Sequence, residues 1–178
     1  MSFFQEFLKK DSGILAQFQK RLCETNVDSC VVSINSHGTD RHYVRMSDPA
    51  DRNGDFPHVE LWSEVFVRFN NRNFADFAGK PKIFLINICR GPNINRTVRS
   101  ARIRSRVQTD GNMGDYNEPD LGSSEYSDFM CLYSTVPDHV SIRDLDDGTW
   151  FVTVFCEVVQ KYAHDHNFYE LKSKVRRN

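Results

Sequence analysis

One stretch, Lys80 to Gly91, constrains the fold of this chain more than any other. Its middle part, Ile83 to Ile88, is apolar except for Asn87, and lysines, prolines, Arg90 and glycine stop the run on its two sides. A short, continuous apolar run between residues that break secondary structure is typical of a strand buried on both faces, as in a parallel sheet. The stretch therefore predicts the central strand of an α/β fold.

Cys89 directly follows that strand. Ligand-binding and catalytic groups of open α/β sheets collect at the carboxyl ends of the strands, so a cysteine in this place is a candidate nucleophile. The alternative is a plain buried cysteine, because a free thiol often serves as a small core side chain. Position alone leaves both interpretations open.

Apolar patterns predict further strands and helices on both sides of this stretch. Cys30 to Ile34 is interpreted as a second buried strand, and Asp128 to Thr135 as a third. Asp48 to Pro57, rich in Asp, Asn, Pro and Gly, is predicted to be a surface loop. A strong helix is predicted from about Gly148 to His164, and a short one near Leu171. Helical spacing is also shown by Phe3, Phe4, Phe7, Leu8, Ile14, Leu15, Phe18 and Leu22, and again by Val59, Trp62, Val65, Phe66 and Phe69.

The composition changes between Pro92 and Glu125, where apolar periodicity almost disappears. Five arginines come first in this segment and five acidic residues follow. Such a segment cannot bury enough apolar surface to order itself, so we interpret it as a linker between two parts of the chain. The arginines leave an alternative open, which is binding of an acidic partner.

Composition excludes several classes of function. The net charge of −1 implies no general attraction to nucleic acid or to membrane surfaces. The five cysteines are widely spaced and lack a Cys-x-x-Cys pair, which favours reduced thiols and argues against a disulfide framework or a zinc site. No secretory signal heads the chain and no apolar run is long enough to span a bilayer. We therefore expect a cytoplasmic protein that needs no cofactor.

A nucleophilic cysteine requires a base, because the thiolate rather than the thiol attacks a carbonyl. His37 follows a predicted strand directly and precedes a glycine, so it occupies the same topological position as Cys89. Two adjacent parallel strands would present both side chains at one edge of the sheet. The alternative for His37 is a histidine of a surface loop. The other five histidines are interpreted as solvated: His42, His58, His139, His164 and His166.

Asn87-Ile88-Cys89-Arg90-Gly91 resembles the cysteine motif of the caspase family, in which a histidine lies about 50 residues upstream. Here His37 lies 52 residues before Cys89, and Ser36-His37-Gly38 resembles the family's histidine motif. The resemblance extends from about Phe3 to Arg177 and includes four further motifs. They are Gly79-Lys80-Pro81-Lys82, Tyr133-Ser134-Thr135-Val136-Pro137, Val140-Ser141-Ile142-Arg143 and Gly148-Thr149-Trp150-Phe151.

The resemblance implies a caspase-like three-layer α/β sandwich with a mostly parallel central sheet. It also implies cleavage of peptide bonds after aspartate, with Cys89 as the nucleophile and His37 as the residue that moves a proton and helps expel the amine. The backbone N–H groups of Gly38 and Cys89 would form the oxyanion hole, where negative charge develops in the transition state.

The substrate-binding residues implied by the resemblance are Asn87, Ser141, Ile142 and Arg143. Arg143 would pair with the aspartate that precedes the scissile bond, because a guanidinium fork fits a carboxylate bidentately. Ser141 and Ile142 would line the strand that the substrate joins by β-augmentation. Asn87 stands where the family usually has glutamine, and Ile142 where it usually has an aromatic residue.

The resemblance also divides the chain. Residues 1–95 correspond to the large subunit with both catalytic residues, 96–125 to a disordered linker between subunits, and 126–178 to part of the small subunit. Asp110, followed by a glycine in that linker, resembles the site at which a caspase zymogen is processed. The alternative is a random Asp-Gly pair, since acidic linkers are rich in both residues.

Two functions are expected, because the sequence resembles a caspase core shortened at both ends. His37 and Cys89 favour a cysteine endopeptidase of apoptosis-type proteolytic signalling, whose substrates are proteins with an exposed aspartate. The shortened ends favour a catalytically weak homologue that regulates a full caspase by binding it. In either case a second caspase-like chain is the expected partner, in a homo- or heterodimer. Unpaired sheet edges are expected to make the isolated chain poorly stable and prone to aggregate.

Overall fold

A computed structural model describes residues 3–9, 11–39, 42–94, 124–144 and 148–175. Of residues 3–5, 143 and 144 only the backbone is described. The helices are α1 (Phe3–Leu8), α2 (Ile14–Glu24), a π-helical segment (Leu61–Phe66) that continues into α3 (Val67–Phe69), a 3₁₀ turn (Ala75–Phe77), α4 (Trp150–Tyr162) and α5 (Phe168–Val175). The strands are β1 (Cys30–Asn35), β2 (Tyr43–Arg45), β3 (His58–Glu60), β4 (Lys82–Asn87), β5 (Phe129–Tyr133), β6 (Arg143–Asp144) and β7 (Gly148–Thr149).

Three parallel strands form the centre of the fold, in the order β1-β4-β5. The apolar stretch that begins at Lys80 supplies the middle strand, as predicted. Its register pairs Ser33 of β1 with Leu85 of β4, and Leu85 in turn with Leu132 of β5. The carboxyl ends of all three strands therefore lie along the same side of the sheet, and Cys89 directly follows the carboxyl end of β4.

The main hydrophobic core lies on one face of this sheet. Phe84 of β4 is fully buried there, and its ring lies 4.8 Å from that of Phe66 and 5.5 Å from that of Phe69. Phe69 also approaches Phe18 of α2, with ring centroids 6.1 Å apart. Aromatic pairs at these separations add to the hydrophobic stabilisation of the core. The helices before β4 thus form one layer under the sheet.

A second helical layer covers the other face of the sheet. Successive side chains of a strand point to opposite faces, so Leu85 and Leu132 lie on the face opposite to Phe84. Both are buried, and a cavity on this side is lined by Leu132 together with Phe151 of α4 and Val175 of α5. Helices on both faces of a parallel sheet confirm the predicted three-layer α/β sandwich.

Strand β1 differs in part from its interpretation as a buried strand. Burial alternates along it: Cys30 is buried, Val32 and Ile34 are partly buried, and Val31 is 53% exposed. Among the described residues β1 lies at the edge of the three-stranded sheet. Its run of apolar residues therefore has one face in the core and one face towards solvent.

The spacing of the apolar residues from Val59 to Phe69 predicts a single helix, but the structure divides this stripe between a strand and a helix. Val59 lies in β3, which pairs antiparallel with β2 and places Val59 opposite Val44. Helix begins only at Leu61, where Glu60 caps it by accepting hydrogen bonds from the backbone N–H and the hydroxyl of Ser63. A three-residue strand leaves too short a pattern for alternation to be recognised, and helical spacing then dominates.

Four of the five histidines interpreted as solvated are instead partly buried: His42, His58, His139 and His166. Nδ1 of His42 lies 3.2 Å from the hydroxyl of Tyr133, and the His42 ring contacts that of Trp62 edge-on. Nε2 of His58 is buried, with no hydrogen-bond partner among the described residues. His42 directly precedes β2 and His58 is the first residue of β3, a strand pair that the sequence did not reveal.

Candidate active site

The site is built where β1 and β4 end side by side. Asn35 and Asn87 are paired as the last residues of the two strands. The chain then continues into His37 after β1 and into Cys89 after β4, and both side chains line one cavity of about 620 Å³. The topology predicted for His37 and Cys89 thus brings the imidazole and the thiol to the same opening.

The backbone after β1 is pressed against the backbone after β4. A Cβ atom added to Gly38 would lie 2.0 Å from the carbonyl oxygen of Cys89 and 3.1 Å from the Cβ of Ile88. Real Cβ contacts essentially never fall below 3.0 Å. Only glycine fits at position 38 in this arrangement, and this close approach fixes the segment of His37 relative to that of Cys89.

The sulfur of Cys89 also contacts Ser141, which lies in the segment after β5. The backbone N–H of Ser141 donates to Sγ over 3.4 Å, and Sγ lies 3.9 Å from the carbonyl oxygen of Ser141. Cys89 is partly exposed rather than buried, so it is not a plain core cysteine. A partly exposed thiol at the wall of a cavity is accessible to a substrate, as a nucleophile has to be.

Asn87 organises the floor of the cavity. It is 5% exposed, and its Nδ2 donates to Asn35 Oδ1 and to Thr149 Oγ1, each over 3.0 Å. Its Oδ1 accepts a hydrogen bond of 2.9 Å from the hydroxyl of Ser141. Buried amides need such partners, because an unsatisfied polar group costs about 1–3 kcal/mol. The floor therefore joins residues from both halves of the chain.

Arg90 and Gly91 hold the segment after Cys89 against the segment after β5. The buried Arg90 guanidinium lies 4.1 Å from the ring centre of Tyr133 and donates to the carbonyl of Thr135. The Arg90 N–H donates to the carbonyl of His139, and the Asp138 N–H donates to the carbonyl of Arg90. A Cβ at Gly91 would lie 2.4 Å from Asp138, so glycine is again required. These contacts explain the Cys-Arg-Gly sequence without assigning Arg90 a catalytic role.

Comparison with known proteins identifies the family. Residues 10–178 match the family model described as the caspase domain. The chain belongs to the caspase family. It is 29% identical to Caspase-1 of Felis catus over 184 residues, 32% identical to Caspase a of Danio rerio over 179, and 33% identical to Caspase-3 of Mus musculus over 149.

These alignments cover most of this caspase chain but less than half of the relatives. They include 98%, 95% and 84% of the chain, against 44%, 42% and 47% of the three relatives. The crystal structure of Caspase-1 from Spodoptera frugiperda has a similar fold, with a TM-score of 0.62 at 22% identity. That similarity covers 89% of this chain and 54% of the other.

The remaining predicted site residues of the caspase chain lie in different places. Ser141 lines the cavity, whereas Ile142 is 40% exposed and is not among the lining residues. The backbone of Arg143 lies in β6, paired with Thr149 of β7, and its side chain is outside what the structure describes. Asp110 and most of the predicted linker lie outside the described residues. The catalytic, substrate-binding and processing roles of all these residues stay predictions.

Sequence reasoning missed the part of the site that Asn35, Thr149 and α4 contribute. Asn35 and Thr149 bond Asn87, while Val152 and Thr153 of α4 form part of the cavity wall. One signal was available: an asparagine stands at or next to the end of each of the two predicted parallel strands, and the ends of neighbouring parallel strands lie close together. Thr149 gave no comparable signal, because its contact depends on how the chain returns after β5.

Two further properties follow for the described part of the caspase chain. It contains no group of three or more His, Cys, Asp and Glu side chains that could hold a metal ion. None of its helices is long and apolar enough to cross a membrane.

Proposed function

We propose that this chain carries the catalytic core of a cysteine endopeptidase that cleaves peptide bonds after aspartate in apoptosis-type proteolytic signalling. The observation that supports the proposal best is the shared cavity of His37 and Cys89, whose two backbones are locked together at Gly38. Membership in the caspase family supports the same reaction.

In this mechanism the Cys89 thiolate attacks the carbonyl carbon of the scissile bond. The carbonyl oxygen becomes an oxyanion, for which the backbone N–H groups of Gly38 and Cys89 are the proposed donors. His37 gives a proton to the leaving amine as the carbon–nitrogen bond breaks and a thioester forms. Water then attacks the thioester, His37 takes a proton from that water, and the acid product leaves with Cys89 restored as the thiolate.

Specificity for aspartate is proposed to reside beside the Asn87 floor. Arg143 follows Ser141 by two residues, and its backbone pairs with Thr149, a residue of the cavity wall. This places the Arg143 backbone next to the cavity, where a guanidinium would bind the substrate carboxylate bidentately. Ser141 and Ile142 would accompany the substrate strand on this side.

The biological setting is part of the proposal. The substrates would be cytoplasmic proteins with an exposed aspartate, and a second caspase-like chain would be the partner in a dimer. Processing after Asp110 would separate the large-subunit-like residues 1–95 from the small-subunit-like residues 126–178. Exposed connecting segments are where proteolytic nicking concentrates.

The test is turnover of a fluorogenic peptide that ends in aspartate before its leaving group. Cys89→Ala is expected to abolish turnover, and His37→Ala to lower it by orders of magnitude, because members of a catalytic unit fail together. Cys156→Ala, at an exposed cysteine of α4, is the matched control and should turn over like the parent. Cleavage by Cys89→Ala at the parent's rate would refute the assignment. A parent that binds a caspase but cleaves nothing would support the regulatory alternative instead.

A further inference from the structure

Asn35 lies at the end of β1 and lines the cavity of His37 and Cys89. Its side chain is exposed, unlike that of its neighbour Asn87, which is buried beneath it. No motif that identified the site includes Asn35. The amide of Asn35 therefore lies at the wall of a cavity that is proposed to receive an acidic side chain.

Asn87 has no N–H group left for a ligand in this arrangement. An amide nitrogen carries two N–H donors. Those of Asn87 go to Asn35 Oδ1 and to Thr149 Oγ1, both at 3.0 Å. Asn87 therefore shapes the floor of the cavity, and a substrate carboxylate that enters has to find its amide donor elsewhere.

Asn35 retains a donor. Its Oδ1 is engaged by Asn87, and its Nδ2 donates to Ser33 Oγ over 2.8 Å. Among the hydrogen bonds of the described residues this is the one that Nδ2 of Asn35 makes, so the second N–H is available to a ligand in the cavity that the side chain lines.

We propose that Asn35 is a specificity-determining residue, which holds Asn87 in place through Oδ1 and donates its second amide N–H to the substrate's acidic side chain. This inference rests on the proposed function, because it concerns peptides that carry aspartate before the scissile bond. A hydrogen bond to a charged group is worth more than one to a neutral group. Asn35 therefore favours an aspartate over an asparagine at that position.

The informative variant is Asn35→Asp. Its carboxylate keeps the acceptor that Asn87 Nδ2 requires, and the Ser33 hydroxyl can donate to it as readily as it now accepts. Both N–H groups of the amide are lost, but the Ser33 hydroxyl replaces one hydrogen bond by donating in its turn, so the net change in the cavity is the loss of the free N–H and the gain of a negative charge. Turnover of a peptide with aspartate before the cleaved bond is expected to fall roughly a hundredfold, because like charges placed side by side in a complex repel. Turnover of the matched asparagine peptide should fall by less than about tenfold, the size of one neutral hydrogen bond.

Two further variants complete the experiment. Asn167→Asp introduces the same charge near the start of α5, where Oδ1 already accepts from the backbone of Tyr169 and Glu170, and should leave the peptide preference unchanged. Asn35→Ala removes the donor, and with it the acceptor of Asn87 Nδ2, without adding charge, and should lower aspartate turnover by roughly tenfold. It also keeps the inference testable if Asn35→Asp shows altered thermal unfolding.

The results of this experiment distinguish a failure of the role proposed for Asn35 from a failure of the proposed function. A selective loss with the aspartate peptide in both Asn35 variants supports the inference. Equal changes with both peptides, or none, would overturn the role of Asn35 and leave the proposed function standing. A parent chain that cleaves neither peptide would refute the proposed function, and the inference would fall with it.

Discussion

Gly38→Ala is the substitution that most directly tests how the site is assembled. The added Cβ would lie 2.0 Å from the Cys89 carbonyl oxygen, while ordinary contact begins at 3.4 Å, so the two segments must separate by about 1.4 Å. None of the three atoms nearest to the added Cβ is the flexible end of a side chain: two belong to the Cys89 backbone and the third is the Cβ of Ile88. The clash therefore moves His37 away from Cys89 rather than being absorbed locally.

Two effects of this displacement can be estimated. Misplacing reacting groups by about 1 Å costs roughly a hundredfold in rate, so peptide turnover should fall by about that factor or more. Overpacking a tight site costs about 1–3 kcal/mol, which for a chain of this length lowers the melting temperature by roughly 2–12 °C. The turnover effect should exceed what this loss of stability explains, because most molecules remain folded at the assay temperature.

The assay combines turnover of the aspartate peptide with thermal unfolding followed by circular dichroism. Gly54→Ala is the control: Gly54 has φ +88 in the loop before β3, and an added Cβ meets nothing within 4 Å. That variant should lower the melting temperature slightly through backbone strain and leave turnover unchanged. Parent-like turnover and melting of Gly38→Ala would show that the backbone contact between Gly38 and Cys89 does not exist in solution.

Two predictions concern titrating groups. Burial raises the pKa of the Cys131 thiol to about 11. Iodoacetamide added to the folded chain should therefore modify the exposed Cys23 and Cys156 and spare Cys131 until the chain unfolds. Mass spectrometry of the modified peptides checks this, and early modification of Cys131 would contradict its placement. Burial, with a further contribution from Cys131, raises the pKa of Tyr133 from 10.0 to about 12, partly offset by Arg90. The folded chain thus keeps the phenol proton where the unfolded chain loses it, so stability should fall as the pH rises from 10 to 12. Urea unfolding of Tyr133→Phe should show a shallower decline over that range, and an equally steep decline would refute the assignment.

Predictions of the fold from the sequence succeeded where a pattern of residues has only one physical interpretation. The run from Ile83 to Ile88 predicts a strand buried on both faces, and it lies in the middle of the sheet between β1 and β5. His37 and Cys89 could be placed together because each follows a parallel strand, and parallel strands end at the same edge. These predictions need only periodicity, strand ends and the rule that parallel neighbours share an edge.

Contacts between distant segments could not be predicted in this way. The bond from Asn87 to Thr149 joins residues 62 positions apart, and it depends on where β7 returns to the sheet. The antiparallel pair of β2 and β3 was missed because each strand has three residues, too few for an alternating pattern. The partial exposure of β1 also escaped prediction, since exposure depends on which neighbours a strand has in space.

The same long-range contacts bear on the proposed processing after Asp110. Asn35 and Asn87 precede that residue and Thr149 follows it, yet their side chains form one continuous hydrogen-bonded floor. At the opposite end of the sheet, Asp128 accepts hydrogen bonds from the backbone N–H of Gly79 and from the amide of Asn71. Cleavage of the connecting segment would therefore leave the two halves joined at both ends of the paired strands β4 and β5. Because loss of the connection costs the site none of these bonds, a cut at Asp110 is compatible with an intact cavity.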